Sequence, residues 1–284
     1  MAVERCLDCF DPFAIARSGQ CFRMTAESSR TVTALAGGDR VVIVAHGAGR
    51  YRFHCTEEAF ETRWRPYFDL DRDYAAIEAD AAGRDETLAR AAKACAGLRI
   101  LRQDPWETLV SFLISQRKSI QAIRGCIERL CARYGEPVRA DRGRYFAFPS
   151  PRALLQGGEE GLRACGVGYR APYLLDAARR ALDGSLPLGE LNGLDNDALL
   201  ERLLTVRGVG MKVAGCVMLF AYQRLDVAPV DVWIQRVITQ RYGGRSPFPS
   251  YGKLAGVFQQ YLFLSRLDEE RAGKPRASSR TVPL

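Results

Sequence analysis

The hydrophobic period of this chain changes once, near residue 68, and that change limits the fold more than any other feature. Before it, apolar residues come in short β-type runs such as Gln20-Cys21-Phe22-Arg23-Met24 and Arg40-Val41-Val42-Ile43-Val44, parted by turns at Gly37-Gly38 and Gly47-Ala48-Gly49. After it they recur at helical spacing. The chain is therefore expected to be α+β, an N-terminal antiparallel sheet followed by packed helices. Helices are predicted over residues 74–82, 86–96, 105–115, 120–134, from Ser150-Pro151 onward, over 172–182, from a cap at Asn196 to Leu204, from Met211, from Asp231, and over 250–267. Asp104-Pro105-Trp106-Glu107 is the clearest start, a capping acid followed by proline at the first helical position and a carboxylate soon after.

A length of 284 residues suits one large or two medium domains. The expected division is a sheet domain with flanking helices at 1–98, a helical domain at 99–270, and a basic, disordered tail at 271–284. No stretch approaches the ~20 apolar residues that span a bilayer, so a soluble protein with no membrane partner is expected. The net charge of +8 favours an anionic partner, because Lys and Arg that neutralise phosphates release counterions. Nine cysteines, an odd number with no secretory signal ahead of them, point to a reduced, intracellular location, cytoplasmic or nucleoid in a bacterium. Cys6 and Cys9 form a lone CxxC with no second pair of ligands near it, and neither His46 nor His54 completes one, so no metal is expected.

Chemistry concentrates further on. Gly208 and Gly210 let the backbone reverse between two helices and leave amide N–H groups free at the second helix's start, where an anion can bind. A plain helix–helix turn also accounts for them. Lys212 is the only charge in the helix that follows, against the positive end of its dipole, which disfavours an ammonium and favours a nucleophilic amine. A lysine that snorkels to solvent is the alternative. Asp231 follows Pro229-Val230 and reads as a helix cap whose second oxygen can still face a cleft.

A helix, a Gly-Val-Gly hairpin, Met211-Lys212 and then Pro229-Val230-Asp231 resembles the helix-hairpin-helix, Gly/Pro/Asp superfamily of DNA glycosylases, and the lysine resembles its bifunctional glycosylase/lyase members. Within it the chain is most similar to the 8-oxoguanine DNA glycosylase family. Ser18-Gly19-Gln20-Cys21-Phe22-Arg23, residues 67–71, 102–107, 166–171 and 255–263 follow that family's pattern in order. The resemblance implies a lyase that flips oxidised guanine out of double-stranded DNA and excises it through a lysine Schiff base in base-excision repair; the sequence gives no sign of a stable oligomer, so a monomer is expected.

By the same resemblance Lys212 and Asp231 are catalytic, and Gly19, Cys216, Gln259 and Phe263 hold the base. Gly19 would offer its carbonyl to the N7–H that only the oxidised base has. Phe263 and Cys216 would cover its two faces, and Gln259 would read its edge. Lys212 with Cys216 and Gln259 with Phe263 are each four apart, so each pair shares a helical face and two faces can line one pocket, although plain core packing also suits Cys216 and Phe263. Tyr169 would wedge into the stack, Arg170 would reach the opposite strand, and Arg117, Gly208, Gly210 and Trp233 would meet DNA. Arg117 stands where the eukaryotic members carry asparagine, and Ala122 where they carry an arginine that recognises the opposite cytosine. No cysteine follows Cys216, so the iron-sulfur loop of related groups is missing; no cofactor is implied, while a monovalent cation on the hairpin carbonyls is compatible with the superfamily. Two other readings are an alkylated-base glycosylase of the same superfamily, which usually lacks the lysine, and a non-catalytic DNA lesion-binding protein.

Overall fold

The computed structural model describes residues 1–139 and 143–273. Five strands, β1 (Val3–Cys6), β2 (Met24–Ala26), β3 (Thr31–Ala36), β4 (Asp39–Gly47) and β5 (Arg50–Phe53), form an antiparallel sheet in the order β1-β5-β4-β3-β2. Alternation sets its faces: Val32, Ala34, Val41 and Ile43 are buried. Residues 20–23 are not strand. All four are buried in a loop ahead of β2, and a run buried on every side carries no alternation to separate strand from loop.

Between β1 and β2 lies a short helix, α1 (Pro12–Arg17), capped by Asp11. The helices beyond the sheet are α2 (Tyr74–Arg84), α3 (Glu86–Ala94), α4 (Pro105–Ser115), α5 (Ile120–Tyr134), α6 (Pro151–Ala164), α7 (Ala171–Asp183), α8 (Asn196–Leu204), α9 (Met211–Phe220), α10 (Val232–Arg241) and α11 (Ala255–Gly273). Caps explain most starts. Asp104 accepts from Glu107 N, Ser119 from Ala122 N, and Ser150 from Ala153 N. The cap of α8 is Asp195, not Asn196, which is already the first helical residue. The final helix is also split: Phe248–Tyr251 forms a separate turn, broken at Gly252 with φ +58°, before α11 begins. α11 then runs to Gly273, so residues 271–273 of the expected tail are helical, and its remainder lies outside the described residues.

The apolar helix α9 is central, packed against α4 and α8, while α11 packs against α3 and α10. One buried core runs through sheet and helices, across residue 98. Asp85, which caps α3, also accepts from Tyr242 at 3.1 Å and Tyr251 at 2.5 Å, and so fastens the N-terminal half to the C-terminal helices. Among the described residues, no helix is long and apolar enough to cross a membrane.

Candidate active site

The second helix of the hairpin begins without a side-chain cap. Gly210 occupies the cap position in extended conformation and offers no side chain, which leaves the first-turn N–H groups of α9 free for an anion. Gly208 has φ +84°, and a Cβ there would collide with the ring of Tyr173 on α7. Only glycine fits. Its carbonyl accepts from Gln116 Nε2 at 3.1 Å, so one hairpin carbonyl that could hold a cation is already engaged.

From Val213 to Phe220 every residue of α9 is buried, so only the first turn emerges. Lys212 uses that turn to reach the foot of a cavity of about 1120 Å³, lined also by Gly19, Phe22, Phe112, Ser115, Asp231 and Phe263. Its Nζ lies 3.4 Å from Ser115 Oγ and 4.9 Å from the centre of the Phe112 ring. Asp231 caps α10: Oδ1 accepts from Trp233 N and Ile234 N, both at 2.9 Å. The cap and the cleft-facing carboxylate are the same group. Among the described residues no ion pair joins Lys212 to Asp231.

Gly19 reaches the opposite wall through a loop. Its φ is +76°, and a Cβ would lie 3.1 Å from Ile120 Cδ1 and 3.4 Å from Phe263 Cε1, so its missing side chain keeps the slot beside Phe263 open. Buried Gln20 holds this loop. It donates to Arg99 O at 2.8 Å, accepts from Leu101 N at 2.9 Å, and its own carbonyl accepts from Gln103 Nε2 at 2.7 Å. Arg124 on α5 also donates to Ala16 O beneath the loop.

Cys216 and Gln259 do not reach the cavity surface; they are 4 % and 2 % exposed. Helical spacing correctly puts them on the faces of Lys212 and Phe263, but one turn deeper, where those faces are already closed. Burial pushes the Cys216 thiol up to about 11, against the opposing pull of Lys212, so it stays a neutral thiol behind the amine. Gln259 Oε1 accepts from Gln260 Nε2 at 2.9 Å.

On the rim, Tyr169 is 49 % exposed and suits a wedge. Arg170 does not extend outward as expected. It is 4 % exposed, donates to Val167 O at 3.2 Å and to Gln116 O, and lies 4.3 Å from the Tyr169 ring. Two nearby carbonyls and an aromatic face hold it inward. Arg117 is exposed with φ +51°, a left-handed conformation that asparagine tolerates better than arginine. Trp233 lines the cavity under Arg236, and Ala122 is exposed in the first turn of α5. Phe112, Ser115, Gln20 and Gln116 carry this geometry and were not singled out from sequence for what they hold. For the first two the available signal was their spacing of three on the apolar helix that ends at the loop.

A model described as the 8-oxoguanine DNA glycosylase N-terminal domain matches residues 7–109, and one described as HhH-GPD superfamily base excision DNA repair protein matches residues 110–260. The chain belongs to the 8-oxoguanine glycosylase family of the HhH-GPD superfamily. This family member is 31% identical to a probable N-glycosylase/DNA lyase of Methanothermobacter thermautotrophicus over 69% of its own length and 70% of that protein's. Its fold matches the apo 8-oxoguanine glycosylase/lyase of Clostridium acetobutylicum with a TM-score of 0.88 and 32% identity, covering 93% of this chain and 96% of that one. The same enzyme bound to double-stranded DNA with cytosine opposite 8-oxoguanine matches at a TM-score of 0.87 and 31% identity, over 95% and 98%.

Proposed function

We propose that the protein is a DNA glycosylase and AP lyase that excises 8-oxoguanine from duplex DNA in base-excision repair, with Lys212 as nucleophile and Asp231 as the charge-stabilising carboxylate. The observation that carries the assignment of roles is that one cavity holds an amine, a carboxylate and, across from them, a glycine and an aromatic ring framing an open slot. Oxidised guanine would be flipped into that slot, at a cost of a few kcal/mol offset by the Tyr169 wedge, the anion-binding hairpin and stacking on Phe263.

The Lys212 lone pair then forms a bond to the sugar C1′ as the C1′–N9 bond breaks and its electron pair leaves with the base. Asp231 stabilises the positive charge that develops on the sugar, and the proton shed by Nζ ends on the departing base. The sugar ring opens to the Schiff base as O4′ leaves C1′ and takes up a proton. Loss of a C2′ proton expels the 3′ phosphate, which is the lyase step. Amine and carboxylate supply this chemistry, and no cofactor enters it. Nine free cysteines support a reducing, intracellular setting, and a single chain supplies every group used, which supports action as a monomer.

Borohydride trapping on a duplex containing 8-oxoguanine tests the reading. The protein is expected to form a covalent adduct and Lys212→Gln none. Excision without an adduct, an adduct with Lys212→Gln, or release of 3-methyladenine in place of 8-oxoguanine would each overturn it.

A further inference from the structure

We infer that Ser115 is a positioning residue that sets the direction of the Lys212 lone pair; the inference rests on the nucleophilic reading of Lys212. Ser115 ends α4, is 9 % exposed and lines the cavity. A hydroxyl has one proton, and Ser115 spends it on the Phe112 carbonyl at 2.7 Å. Toward Lys212 Nζ, 3.4 Å away, it therefore has only lone pairs to present. It can accept from the amine but not donate to it.

Phe112, one turn earlier on the same helix, supplies a second acceptor. Its π face lies 4.9 Å below Nζ. The ring cannot swing away, because it is stacked on Phe220 at 5.5 Å and held edge-on by Phe22 at 5.6 Å. A neutral amine has two N–H bonds and one lone pair. With one N–H drawn to the hydroxyl and the other to the ring, the lone pair is left on the side away from α4, free for an electrophile in the cavity that Lys212 lines. The third neighbour, the Cys216 thiol, is a weak partner as donor or acceptor, so the two acceptors on α4 decide the orientation.

Without the hydroxyl, rotation about the Cε–Nζ bond is restrained only by the ring, and fewer encounters present the lone pair to C1′. The test is single-turnover borohydride trapping on a duplex carrying a preformed abasic site, which bypasses base recognition and isolates the amine. Ser115→Ala is expected to trap about tenfold more slowly, the scale of one lost hydrogen bond at about 1.4 kcal/mol, while binding the same duplex within about twofold of wild type. Ser115→Thr, which keeps the acceptor, is expected to trap at close to the wild-type rate. Wild-type trapping by Ser115→Ala, slowing matched by an equal loss of duplex affinity, or a Ser115→Thr variant as slow as Ser115→Ala would overturn the inference. An adduct with Lys212→Gln would instead remove the nucleophilic reading itself, so the two failures are distinguishable.

Discussion

The cavity has two walls built by different means. The wall of Lys212 and Asp231 is made of helix starts, where a reactive group is placed by the local backbone: Asp231 is fixed by two N–H groups two and three residues away. The wall of Gly19 is a loop, tied by the Gln20 side chain to the backbone of Arg99 and Leu101 and by the Gln103 side chain to the Gln20 carbonyl, about 80 residues away. On the proposed roles, chemistry thus sits on elements placed by local backbone. Recognition sits on a segment that exists only once both halves of the chain have met.

The comparison breaks most sharply at Asp231. Asn keeps the cap but not the charge, so Asp231→Asn should retain stability within about 1 kcal/mol while single-turnover excision falls roughly 10²- to 10³-fold. Parallel loss of both would mean that cap and catalyst are one structural function. The loop wall should respond in the opposite sense. Gln20→Ala removes bonds to Arg99 and Leu101 and is expected to cost on the order of 3 kcal/mol in denaturant unfolding, with excision of 8-oxoguanine reduced more than trapping on an abasic site.

The same contrast between local and remote contacts explains what sequence could and could not reveal. The Asp231 cap and the Asp104 start were legible because caps act within a turn, whereas chemistry at Lys212 and Asp231 was implied only by the family resemblance. The Gly19 loop read as strand because its partners are remote, and four consecutive buried residues mimic a β run. Cys216 and Gln259 share helices with Lys212 and Phe263 but are buried behind the cavity lining, since periodicity tells which residues share a face and not where that face closes. Arg170 carried the right charge in the wrong direction, because the Gln116 carbonyl that draws it inward lies 54 residues earlier.

A gentler probe sharpens the contrast. Gly19→Ala places a side chain at φ +76° and against Ile120 and Phe263, a strain of about 1–2 kcal/mol. Excision of 8-oxoguanine should fall about tenfold and abasic-site trapping should stay unchanged; an equal fall in both would show that the slot also positions the sugar.

The last test lies behind the loop wall, away from the cavity. Glu107 of α4 faces Arg23 of the loop at 3.5 Å, and burial, opposed by Arg23 and reinforced by Asp104, raises its carboxyl from 4.5 to about 7. The folded state then holds a proton that the unfolded chain gives up. This contribution to stability is complete below pH 4.5 and is lost as pH rises toward 7, at no more than about 1.4 kcal/mol per pH unit. Urea unfolding from pH 5 to 7 should show that slope in wild type and a flatter one in Glu107→Gln. Equal slopes would mean that the proton is not held there.

Tyr169, Arg170, Gln116, Gly208 and Tyr173 close into a ring: the tyrosines meet edge to face at 6.2 Å, and the guanidinium and the amide bridge the remaining gaps. Mechanically, the ring makes the exposed Tyr169 and the hairpin one stiff unit, so that a load on the tyrosine is passed to Gly208.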